Sequence, residues 1–162
     1  MNYSEPIAFY WKKYFEKDEA KYDFDEEKGV FRTGYGLGET CPISSLRYII
    51  IIKEDGFLVR AYIPGIKAKA SNFENTAMLL TYINDGMRYG NFEMDMDDGE
   101  ITFKMANIVP DGAELEYDYI DKNVVIPLMM VKKYADALIG IMLGYTDDPK
   151  AAYEKAMAED AD

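Results

Sequence analysis

The chain of 162 residues is 49% hydrophobic, 14% aromatic and 30% charged, with a formal net charge of −12. A domain of this size buries roughly 70% of its unfolded surface, and its apolar content excludes a disordered chain. The acidic balance argues against nucleic acid and anionic membranes as partners, since both select clustered cations, and the absence of histidine removes His-based triads, His-ligated zinc and a histidine general base.

No apolar run approaches the roughly 20 residues that span a bilayer. The N-terminus starts acidic and carries Lys12 and Lys13 inside its apolar stretch, unlike a secretory signal. A single cysteine, Cys41, permits no internal disulfide. The expectation is a soluble cytoplasmic protein.

In chain order, Ser4 is placed to cap a helix with Pro6 in its first turn, running to about Ala20. Ile7, Tyr10, Trp11, Tyr14 and Phe15 recur at three- and four-residue steps and form a core-facing stripe. Val30 to Tyr35 alternates as a strand. Gly34, Gly36 and Gly38 follow, but they run into Thr40, Cys41 and Pro42 rather than into a helix, and no Gly-Lys-Ser/Thr follows. A phosphate cradle needs helix amides behind it, so this segment reads as a flexible connection. Nothing beside Cys41 would lower its thiol pKa, which weakens a redox switch there.

"YIIIIKEDGFLVRAYIP" predicts a hairpin about Asp55-Gly56, pairing Ile52 with Val59 and Ile50 with Ala61. One face is apolar. The other carries Ile49, Ile51, Lys53, Leu58, Arg60 and Tyr62, which is greasy for a solvated side, so either a later helix or a partner is expected to cover it, and the helix is favoured. "SNFENTAMLLTYINDGMRYG" predicts a helix capped by Ser71 or Asn72, with Phe73, Ala77, Leu80, Asn84 and Met87 on its inner stripe and Met78 and Tyr82 pointing away.

"FEMDMDDGEITFK" gathers four acidic residues around Gly99. As a calcium loop it fails, because Met94, Met96 and Met105 fall where oxygen ligands belong. As a hairpin about Asp98-Gly99 it pairs Met96 with Ile101, Met94 with Phe103 and Phe92 with Met105, leaving Glu93 beside Lys104 on the wet face. Val124, Leu128, Val131, Ala135, Leu138 and Met142 form the seam of a further helix, interrupted by Pro127 and stopped by Gly144. Pro127 marks either the start of that helix or a kink in a longer one. Residues 146–162 are expected to form an acidic, loosely attached tail with a short helix capped by Asp147 or Asp148, outside a single domain of residues 1–145.

The order helix, strand, hairpin, helix, hairpin, helix predicts an α+β domain with an antiparallel sheet. From Leu46 to about residue 145 the chain resembles the YbjN-like family, small bacterial proteins ascribed to sensory-transduction regulation. The resemblance lies in the hairpin ending "YIP", in "AMLLTYIND", in "GNFEMDMDDGEITFKMANIV" and in "YADALIGIMLG". It implies a fold similar to type III secretion chaperones, acidic proteins that commonly dimerise and hold client segments, and it brings no catalytic motif.

Two functions compete. A non-enzymatic binding module, a chaperone-like or regulatory adaptor, would hold a protein or peptide through Ile49, Ile51, Leu58, Tyr62, Met78 and Tyr82, with a homodimer seam as the rival use of those residues. A carboxylate- or metal-dependent enzyme would use Asp95, Asp97, Asp98 and Glu100. The first is favoured, in a protein expected to form a homodimer with Met78 and Tyr82 placed first at the dimer contact, and with no cofactor, metal ligand or catalytic residue assigned.

Overall fold

The computed structural model describes residues 2–160. Helix α1 (Glu5–Lys17) is followed by β1 (Asp23–Asp25), β2 (Val30–Gly36), β3 (Ser45–Ile52) and β4 (Gly56–Lys67). Then come a 3-10 turn (Ala70–Asn72), α2 (Phe73–Asp85), β5 (Asn91–Met94), β6 (Glu100–Ile108), α3 (Tyr117–Leu143) and α4 (Pro149–Glu159). The strands form one antiparallel sheet in the order β1-β2-β3-β4-β6-β5. This is the α+β architecture expected; the short β1, Asp-Phe-Asp, is an addition that alternation over three residues could not announce.

Helices α1 to α3 close one face of the sheet. Ser4 caps α1 by accepting the Ile7 amide. Trp11 meets Phe57 edge-on at 5.3 Å and Phe15 packs on Phe31 at 5.6 Å between ring centres. Phe92 reaches Tyr134 of α3. Pro127 lies inside α3 rather than at its start. A proline there removes an intrahelical donor and crowds the preceding turn. The buried Tyr48 hydroxyl, rising from β3, donates to the Val124 carbonyl at 2.7 Å beside that break. Gly144, at φ 79°, ends the helix in the left-handed conformation.

Both hairpins are paired two residues away from the expected register. In the first, Ile52 opposes Phe57 and Ile50 opposes Val59. The Lys53 amide donates to the Gly56 carbonyl at 2.9 Å, so Glu54-Asp55 make the turn. Gly56 does not supply a positive φ. It is needed because a Cβ there would lie 2.0 Å from the Asn107 carbonyl oxygen of β6. In the second, Phe92 opposes Phe103 and Met94 opposes Ile101, with residues 96–99 forming a four-residue loop. Gly99 does take a positive φ, of 78°. A slip of two keeps every side chain on its face, so the sidedness of both hairpins stands.

Helix α2 is rotated from expectation: Thr76, Leu79, Leu80 and Ile83 are its buried residues. Asn84 is drawn to the sheet edge instead, where its amide accepts the Phe92 N–H at 2.8 Å and donates to the Phe92 carbonyl at 2.9 Å. It thereby satisfies the outward-facing backbone of edge strand β5. The expected loose attachment beyond Thr146 does not describe α4. Asp148 caps it, Ala156 is buried, and Tyr153 stacks on Tyr82 of α2 and Tyr134 of α3.

Candidate functional site: the open face of the sheet

Every ring or hydrogen-bond contact between helix and strand side chains falls on the face carrying Phe31, Tyr48, Phe57, Phe92 and Asn107. The opposite face has no such cover. The register arranges it in rows that run across the strands, each about 7 Å from the next. Ile108 stands beside Gly56 at one end. Next comes Val30, Ile51, Leu58 and Ala106. Then follow Arg32, Ile49, Arg60 and Lys104, and finally Arg47, Tyr62 and Thr102. The face is thus apolar towards one end and cationic towards the other.

Ile49, Ile51, Leu58 and Tyr62 are half-buried among their strand neighbours. Ile108 is 84% exposed. Three of the chain's four arginines project from this face. Two of its cations are compensated: Arg32 lies 3.3 Å from Asp23, and Lys104 is paired with Glu93. Burial alone would raise the Glu93 pKa, but hydrogen bonds from Lys104 and Asn91 outweigh it and hold the carboxyl below its usual range.

Arg47 and Arg60 have no carboxylate partner among the described residues. The Arg47 guanidinium sits over the Tyr62 ring, 5.4 Å from its centre. The Tyr62 hydroxyl, more than the neighbouring Glu93 charge, reinforces the protonated state of Arg60 against the effect of burial. Arg60 Nε is buried and has no hydrogen-bond acceptor among the described residues. Such a pair of guanidinium forks suits carboxylates or phosphate oxygens.

The six residues singled out in the sequence therefore do not form one patch. Ile49, Ile51, Leu58 and Tyr62 share the open face, whereas Met78 and Tyr82 belong to the helical layer. Met78 is 50% exposed; Tyr82 is half-buried against Tyr153, 5.9 Å away. Arg47, Ile108 and the lateral alignment of Arg32, Arg60 and Lys104 were not singled out. Strand alternation puts each on the outer side, but only the pairing across four strands brings them together.

The acidic turn is occupied with its own backbone. Asp95 Oδ1 accepts the Asp97 amide at 2.9 Å, Asp98 Oδ1 accepts the Glu100 amide at 3.0 Å, and Lys67 pairs with Asp98. Among the described residues no group of three or more potential ligands is placed to hold a metal. A cleft of about 360 Å³ between α1 and the start of α3 is lined by Tyr10, Tyr14, Lys17 and Tyr117. There Tyr14 donates to Asp121 at 2.9 Å and Tyr117 to Asp18 at 2.5 Å, contacts that tie the two helices together. Cys41 is a half-buried free thiol. No helix of the described residues is long and apolar enough to cross a membrane.

No family model matches the chain, and no curated protein matches it. Among solved structures it is similar to one described as "YbjN, a putative transcription regulator from E. coli", at a TM-score of 0.56 and 11% identity, covering 80% of this chain and 87% of that one. At that identity the likeness is one of fold: the helices and six-stranded antiparallel sheet described above are shared architecture.

Proposed function

We propose that this chain is a non-enzymatic binding module, a chaperone-like or regulatory adaptor that holds a protein or peptide partner in the cytoplasm. The observation that carries the reading is the open sheet face. It combines Ile51, Leu58 and Ile108 with Arg47 and Arg60, and no helix of the described residues packs its side chains there. Apolar surface of this kind beside guanidiniums without a carboxylate partner among the described residues is the composition of a recognition surface. The description of its structural neighbour as a regulator is compatible with that role. In the Asp95–Glu100 turn the Asp95 and Asp98 carboxylates are engaged in turn hydrogen bonds and an ion pair, and the turn lends no comparable support to an enzyme.

The test compares wild type with Ile51→Asp on the open face and Met78→Asp on the helical layer, each first shown to be folded by circular dichroism. Stoichiometric partner capture that is lost in Ile51→Asp and retained in Met78→Asp supports the adaptor. If sedimentation shows instead that Ile51→Asp only abolishes self-association, the face is a homodimer seam and the adaptor reading falls.

A further inference from the structure

Resting on the binding-module reading, we infer that the occupant of the open face is an acidic, apolar peptide segment: its carboxylates are taken by Arg47 and Arg60 and its apolar side chains by the row of Ile51 and Leu58. Such a segment would complement the face in both charge and apolarity. Arg60 stands directly opposite Ile49, and Arg47 directly opposite Tyr62, so the two guanidiniums are diagonal neighbours on adjacent strands. Neither has a carboxylate partner among the described residues, and the orphaned Arg60 Nε is already shielded from water. A carboxylate docking at the two guanidiniums would add an ionic partner that neither has, beside their existing contacts with Tyr62. Ile51 and Leu58 lie one row from Arg60, about 7 Å, and two rows from Arg47. An extended segment separates same-side side chains by that distance, and a helix presents positions i and i+4 at about 6 Å.

Two other occupants fit less well. A second copy docking face to face would bring the unpaired Arg47 and Arg60 of both copies into one dry interface, where uncompensated charge is strongly unfavourable. Nucleic acid would find apolar rows beside only two uncompensated cations, on a chain of net charge −12.

A random peptide library selected on immobilised wild-type protein, with parallel selection on Ile51→Asp, tests the inference. Winning peptides are then titrated by fluorescence anisotropy against wild type and the double variant Arg47→Gln/Arg60→Gln, with a short DNA duplex as a further probe. Both variants are first checked for native melting. The expected result is enrichment of Asp and Glu next to apolar residues, with affinity at least about tenfold weaker in the double variant and falling with salt. Peptides without acidic bias that still need Ile51 would overturn the acidic preference and leave the binding module standing. Enrichment no greater on wild type than on Ile51→Asp would remove both. Arginine-dependent binding of the duplex, without peptide binding, would replace the inference with a nucleic-acid site.

Discussion

The two faces of the sheet are made from the same strands, yet they do opposite things with charge. On the inner face, Phe31, Tyr48, Ile50, Val59 and Phe103 are completely buried, and the polar hydroxyl among them reaches a backbone carbonyl. On the outer face Val30, Ile49, Ile51, Leu58 and Tyr62 are half-buried, and each has an arginine or lysine within one row. Alternation accounts for the inner face fully, since the core demands it. It does not account for isoleucines at positions 49 and 51 on the outside, where threonine or lysine would serve a solvated sheet. That surplus separates a face built for stability from one available for recognition.

Truncation should expose the difference most strongly. Phe103→Ala, removing a fully buried ring, should cost about 3–5 kcal/mol. Leu58→Ala on the outer face should cost under about 1.5 kcal/mol, because its surroundings are already partly solvent. Urea unfolding of the two variants measures both; equal losses would mean that the outer face is as tightly packed as the core. The Gly56→Ala variant probes the join between them. Its Cβ would press on the Asn107 carbonyl, which belongs to the pairing of β4 with β6, and the expected loss is about 2 kcal/mol. A neutral result would show that β6 shifts freely. Tyr48→Phe should cost about 1–2 kcal/mol, since the Val124 carbonyl beside Pro127 is left without its side-chain donor.

What the sequence made legible follows from what is local. Period-two alternation located both faces of β3 and β4 even with the register misplaced by two, because a slip of two preserves sidedness. The misplacement arose from reading each glycine as a turn residue. At Gly56 the need was close approach of another strand, which lies about 50 residues away in sequence and leaves no local trace. The buried stripe of α2 was misjudged for a similar reason, because Asn84 serves the edge of β5 and Tyr82 is met by α4. The cationic row is the least legible feature. Arg32, Arg60 and Lys104 sit on three strands with Arg47 one row beyond, and only long-range pairing aligns them. Ile108, at a strand end, has no alternation beyond it to mark its exposure.

The smallest effect bears on how the outer face keeps two of its cations compensated and leaves two free. Glu93 is held below the usual carboxyl range by Lys104 despite partial burial. A carboxylate whose folded pKa is depressed stabilises the protein above its unfolded value, about 4.3. That contribution fades as the pH falls through the lower folded value. Both side chains are about a third exposed, so solvent screening limits the pair to about 0.5 kcal/mol. Lys104→Met should therefore be less stable than wild type by that amount near pH 7. The gap should be smaller at pH 3, because the contribution is lost as the pH falls through the lowered Glu93 value. Urea midpoints at the two pH values decide it: a gap that persists unchanged in acid would mean that Lys104 acts through its aliphatic stem on the sheet rather than through its charge.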